Sequence, residues 1–174
     1  MKHRFSCALA GAAFLLCVVG AIARAANAPA RHSLESDYGF MIGRWACHVT
    51  QVGTADQDLS VEYEWGFDRR VLRESMRLGD KLVGEFLTTY DKVTDHFKGV
   101  GVGAWGYVVW ENGGFHEGHL SERGFTFDGG RMTPVSRSEF ERISDAHYVV
   151  HDFEAGSASS SGAATDTEDC VKVK

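Results

Sequence analysis

The segment Gly43-Arg44-Trp45-Ala46-Cys47 stands at the head of a strand-rich chain whose last stretch holds a lone cysteine, Cys170. A Gly-x-Trp step into a first strand, a cysteine two residues on and a partner cysteine in the last strand predict a sheet that closes on itself. Such a closed sheet is a barrel, which removes the exposed edges that an open antiparallel sheet must protect.

Residues 1–25 read as a secretory leader. Lys2 and Arg4 form a charged start, the run from Cys7 to Ile22 is apolar without an acidic residue, and Ala23-Arg24-Ala25 offers a small-x-small cleavage pattern before Ala26. The apolar run is shorter and richer in Ala and Gly than the roughly 20 strongly apolar residues of a spanning helix. Bulky Leu16 before Cys17 argues against lipid attachment there. The expected location is therefore the periplasm or the exterior, after cleavage near Ala25. Cys7 and Cys17 leave with the leader, so Cys47 and Cys170 remain in a compartment where disulfides persist. They are expected to pair, the alternative being two buried free thiols.

The formal net charge is -6, and it becomes three units more negative once Lys2, Arg4 and Arg24 are gone. The remaining basic residues are single or in pairs such as Arg69-Arg70, with no stripe to grip a phosphate backbone. Nucleic acid and anionic membrane are not expected partners.

From Ile42 onward, β-branched and aromatic runs alternate with short Gly, Asp and Asn breaks. Val61, Tyr63, Trp65 and Phe67 share one face and Glu62, Glu64 and Gly66 the other, the clearest strand of the chain. Asp68-Arg69, Gly79-Asp80, Lys92 to Asp95, Asn112-Gly113-Gly114 and Gly129-Gly130 punctuate segments of about 8 to 12 residues, the rhythm of an antiparallel meander. Glu85 on the opposite face implies that Phe86, Thr88 and Tyr90 point inward. The strands Phe97 to Val102, Trp105 to Glu111, Phe115 to Arg123 and Phe125 to Asp128 follow. Ser138 to Ser144 and His147 to Phe153 form a hairpin, and Asp169 to Lys174 closes the sheet. Residues 26–41 form an N-terminal segment with a helical turn, Ser33 to Phe40, capped by Ser33. The polar, small-residue stretch 156–162 reads as a mobile loop. The chain is thus all-β: an up-and-down antiparallel barrel of eight to ten strands over residues 42–174.

Three pieces carry a resemblance: Met41-Ile42-Gly43-Arg44-Trp45-Ala46-Cys47, Thr88-Thr89-Tyr90-Asp91-Lys92-Val93-Thr94-Asp95, and Asp169-Cys170-Val171-Lys172. In this order they resemble the lipocalin or calycin superfamily, and more nearly small exported bacterial lipocalin-like barrels related in architecture to the haem-binding nitrobindins. Where such barrels usually carry an arginine late in the chain that covers the tryptophan, this chain offers Lys172 and Lys174. The resemblance implies a barrel with an interior ligand site. Its nitrobindin side implies haem held by a late histidine, here His151 or His147, with Trp65, Tyr90 or Phe140 along the porphyrin.

No catalytic motif stands out. There is no Gly-x-Ser-x-Gly elbow, and the carboxylate pairs Glu62/Glu64 and Glu139/Glu141 sit opposite aromatic positions on solvent faces. His147 and His151, four apart in a strand, would be roughly 13 Å apart and could not share one ion. His116 and His119 are expected on opposite faces, so no metal and no other cofactor is expected. Gly99, Gly101 and Gly103, at alternate positions, permit coiling of the sheet or leave room for a ligand.

What remains is an aromatic set that includes Val61, Phe67 and Tyr107 beside the residues expected to line a cavity: Tyr63, Trp65, Phe86, Tyr90, Trp105 and Phe140. A small, mostly apolar molecule oriented by tyrosine hydroxyls is the expected partner. An enzyme of cyclase or isomerase type using the same cavity, and an envelope structural protein with a filled core, are the alternatives.

Overall fold

The computed structural model describes residues 32–104, 106–128, 131–134, 137–153 and 164–174, together with backbone but not side-chain placement at 126–128 and 131–134. The expected leader and the stretch 156–162 lie outside these residues.

Ser33 caps a short helix, α1 (Leu34–Tyr38), through a reciprocal capping box with Ser36, and a 3-10 turn, Gly39–Met41, continues it. Eleven strands follow: β1 (Gly43–Gln51), β2 (Gln57–Gly66), β3 (Val71–Leu78), β4 (Lys81–Asp91), β5 (His96–Gly103), β6 (Gly106–Asn112), β7 (His119–Asp128), β8 (Arg131–Pro134), β9 (Arg137–Ser144), β10 (His147–Phe153) and β11 (Asp166–Lys172). Apart from β8 and β9, which both pair with β7, each strand pairs antiparallel with its neighbour in sequence, and β11 returns to β1. Strand β7 is shared along its length, its first half against β9 and its second half against β8. The closed ring therefore has ten strands, with β8 a short extension beside β7.

The expected disulfide joins the ring where it closes. Cys47 and Cys170 are direct cross-strand partners of β1 and β11, with Cα atoms 4.0 Å apart and their sulfurs bonded. No helix among the described residues is long and apolar enough to cross a membrane.

One end of the barrel is plugged. Leu34, Tyr38 and Met41 from the helical segment are buried against Trp45, Phe97 and Leu120, and Phe115 packs edge-on to Tyr38 and Phe40. Trp45 is fully buried and its indole N–H donates to the Met41 carbonyl. Lys172, at the end of β11, takes the place expected of a late arginine. Its ammonium lies 5.3 Å from the Trp45 ring and donates to the Phe40 carbonyl at 2.8 Å. Asp37, almost wholly buried, accepts from the backbone N–H groups of Ser33 and Phe115 and so ties the plug to the β6–β7 connection.

Several expectations change. Phe67 lies in the β2–β3 turn with φ 48° and is 79% exposed, because Gly66 already ends the strand. Tyr107 falls on the outer face, since Val108 and not Tyr107 takes the inward phase of β6. Phe115 to Arg123 is not one strand: Glu117 and Gly118 both have positive φ and form a tight turn that sets His116 opposite His119. The two histidines are therefore cross-strand neighbours, not residues on opposite faces. The last strand begins earlier, at Asp166.

Candidate functional site

The alternation of each strand decides what meets inside the barrel. Cys170 must face inward to reach Cys47, so Glu168 and Asp166, two and four residues before it on β11, face inward as well. The same phase on β10 turns Tyr148, Val150 and Asp152 inward. On β3 it selects Leu72, Glu74 and Met76, and on β7 Leu120, Glu122 and Gly124. Of these, Glu74, Met76, Glu122, Gly124, Tyr148, Val150, Asp152, Asp166 and Glu168 line a cavity of about 360 Å³ whose lining also includes Leu59, Tyr63, Phe86, Val108, Trp110, Arg123, Ser138 and Phe140.

One wall is aromatic. Phe86 and Trp110 pack at 5.5 Å between ring centroids. They fit only because their strand neighbours have no side chain. A Cβ on Gly99 would fall 2.0 Å from the Trp110 ring, one on Gly101 2.2 Å from Phe86, and one on Gly124 1.9 Å from the Val109 carbonyl oxygen. The alternate glycines of β5 thus make room for large side chains that shape the cavity.

Acidic groups share the same space, Glu74 being the direct cross-strand partner of Phe86. Burial pushes the Glu74 carboxyl up to about 8, helped by repulsion from Glu168 and Glu122 and opposed by the Tyr63 hydroxyl. Burial also raises Glu122 to about 8 against the Asn112 hydrogen bond, and raises Glu168 to about 7 with Asp152 and Asp166 adding repulsion. Asp152 is shifted upward mainly by burial, and Ser138 bonds to it. By accessible area the three glutamates are only half-buried, because the cavity itself reaches them. They are enclosed by protein yet open to whatever fills that space.

The carboxyls differ in how they are held. Glu122 accepts from Asn112 Nδ2 at 3.0 Å, and Asn112 Oδ1 in turn accepts from Tyr38 at 3.1 Å, a chain leading from the plug to the cavity. Tyr63 and Tyr148 share a hydrogen bond of 3.1 Å beside Glu74 and the disulfide. Glu168 has no hydrogen-bond partner among the described residues, and one oxygen of Asp166 is buried without one. The one trio of His, Cys, Asp or Glu donor atoms within 4.8 Å of one another among the described residues is Cys47, Glu168 and Cys170, and its thiols are spent in the disulfide. No three carboxylates among the described residues bring their oxygens within 4.8 Å of one another.

Of the residues expected to line a cavity, Tyr63, Phe86 and Phe140 do so. Trp65 and Tyr90 belong instead to the packed core, Tyr90 against Phe97 at 5.0 Å with its hydroxyl on Asp95. Trp105 lies outside the described residues. His147 and His151 take the outward phase of β10, where His147 bonds Asp169 at 2.9 Å and His151 bonds Thr167 at 3.2 Å. Neither faces the cavity, which removes the geometric basis for a late histidine holding haem inside. His116 and His119 line a second cleft, of about 590 Å³, with Glu139 and Phe140.

Sequence reasoning missed Trp110 and the five interior acids. For Glu168 and Asp166 the signal was present: they share the phase of a cysteine already expected to face inward. Neither a scan of protein-family models nor a search of curated proteins finds a match to this chain.

Proposed function

We propose that this chain is an exported barrel that binds a small, largely apolar molecule in its interior. The observation that carries the reading is the cavity of about 360 Å³, lined by Phe86, Trp110 and Phe140 together with polar groups. That is the small end of the range of small-molecule pockets, and the mix of apolar wall and few convergent polar groups is their usual lining. Two glycines, Gly99 and Gly101, that leave room for the Trp110 and Phe86 rings support a built site over a packing defect. Export is supported by the leader-like residues 1–25 and by a disulfide that suits an oxidising compartment.

Trp110 supplies the test. An occupant should change its emission saturably and raise the melting temperature with concentration, as any ligand of the folded state does. Replacing Trp110 by Phe should abolish the spectral response while leaving the thermal shift. A panel of small aromatic, terpenoid and acyl compounds that moves neither signal contradicts the reading.

A second reading has one observation in its favour. Glu74 and Glu122, held near 8 beside a tyrosine pair, are suited to donate and accept protons at neutral pH, as an isomerase or cyclase would require. Turnover of a bound compound, lost in Glu74→Gln with binding retained, would favour the enzyme.

A further inference from the structure

We infer that the occupant of the cavity is an organic cation, a protonated amine on an aromatic or apolar body, with its ammonium group seated among Glu74, Glu122 and Glu168. This rests on the reading of the barrel as a binding protein and names the chemistry of what it binds.

The first ground is the sign of the interior. Glu74 on β3, Glu122 on β7, Asp152 on β10, and Glu168 and Asp166 on β11 all line the same space. The facing groups from the remaining strands are neutral: Tyr63 and Leu59 on β2, Phe86 on β4, Val108 and Trp110 on β6, Ser138 and Phe140 on β9, and Tyr148 on β10. The basic side chains nearby are committed elsewhere. Arg123 is among the lining residues but is exposed and takes the outward phase of β7, Arg142 lies over the Phe40 ring and pairs with Asp145, and Lys172 is bound to the plug. Among the described residues, no salt bridge links a protein cation to any of these five carboxyls.

The second ground is the unused bonding capacity of Glu168. A carboxyl enclosed by protein without a hydrogen-bond partner is costly to keep, and here it is aimed into a space that a donor could enter. An ammonium group brings three donors, one of which Glu168 can accept.

The third ground separates an organic cation from a metal ion. The carboxylate oxygens do not converge within 4.8 Å, as they would around one ion. Phe86 is the direct cross-strand partner of Glu74, and Trp and Phe faces attract cations and pack against apolar bodies. A molecule with a positive head and a flat or branched apolar tail satisfies both kinds of group. Binding should also expel protons, since a cation among these carboxyls favours their ionised forms.

The experiment compares three probes of similar shape by calorimetry at pH 8 on the intact, disulfide-bonded protein: 2-phenylethylamine, neutral 2-phenylethanol and anionic 3-phenylpropanoate. The amine should bind at least about ten times more tightly than the alcohol, and the acid should not bind. Its heat should depend on the ionisation enthalpy of the buffer because protons are released, and its affinity should fall at least tenfold at pH 5.5. Glu168→Gln, and independently Glu74→Gln, should weaken the amine about tenfold and leave the alcohol unchanged. Alcohol or acid binding as tightly as the amine overturns the cation while leaving an interior ligand site standing. If the amine fails to bind but the neutral panel is accepted, the cation is again refuted and the cavity kept. If neither the amine nor any panel member binds, both readings fall.

Discussion

Replacing Glu74 by Gln should stabilise this barrel in a strongly pH-dependent way. In the unfolded chain Glu74 ionises near 4.5, whereas in the barrel it does so near 8. Between those values the folded state keeps a proton that the unfolded state has lost. Stability therefore falls as pH rises through the window, by about 1.4 kcal/mol per pH unit for one such group, and is unaffected below it. The full window sets an upper limit of about 4 to 5 kcal/mol, and contact with cavity water reduces the expected loss to about 2 to 3 kcal/mol by pH 8. Gln keeps the shape and cannot ionise, so it removes this loss. At about 3 °C per kcal/mol for a domain of this size, Glu74→Gln should melt roughly 5 to 10 °C above the wild type at pH 8 and within about 2 °C of it at pH 4.5. Thermal unfolding followed by circular dichroism from pH 4.5 to 9 gives the comparison. A gain of equal size at both ends, or a loss at pH 8, would refute the placement of Glu74 in an enclosed acidic wall.

Removing the disulfide with Cys47→Ala and Cys170→Ala opens a loop of 123 residues' separation and should cost about 3 to 5 kcal/mol, read from denaturant midpoints of the double variant and the oxidised parent. Gly99→Ala drives a methyl into the Trp110 ring and should cost about 1 to 3 kcal/mol while shifting tryptophan emission; an unchanged spectrum would mean that the ring is not seated there. Lys172→Ala uncovers Trp45 and frees the Phe40 carbonyl, for about 1 to 2 kcal/mol of lost stability, whereas Lys172→Arg should recover most of it in the same melts.

The architecture was legible because its signals are local and redundant. The alternation of Val61, Tyr63 and Trp65, the turn residues, and Ser33 ahead of Leu34 each report on their own neighbourhood, and one long-range pair, Cys47 with Cys170, supplied the closure. Errors came where phase had to be carried across an irregularity. Tyr107 belongs to the aromatic set read from the sequence, yet β6 begins at Gly106 and its inward residues are Val108 and Trp110. His116 and His119 were assigned by counting along a strand that a two-residue turn interrupts. The acidic wall escaped for a different reason. A glutamate within an alternating strand normally marks the solvent face, because burying a charge is costly. Glu74, Glu122 and Glu168 break that rule together, and only the closed ring brings three strands distant in sequence around one space. Departures of this kind, against an otherwise consistent pattern, are where function is expected to reside.

The central claim is that the barrel interior is a ligand site, and native mass spectrometry of the protein exported and purified from an envelope-bearing host tests it most directly. The account predicts a retained species, lost on denaturation, whose mass corresponds to a small molecule and whose occupancy falls in Glu168→Gln and in Gly99→Ala. Bare protein mass under gentle conditions, together with a melting temperature that no compound of either panel changes, would contradict it.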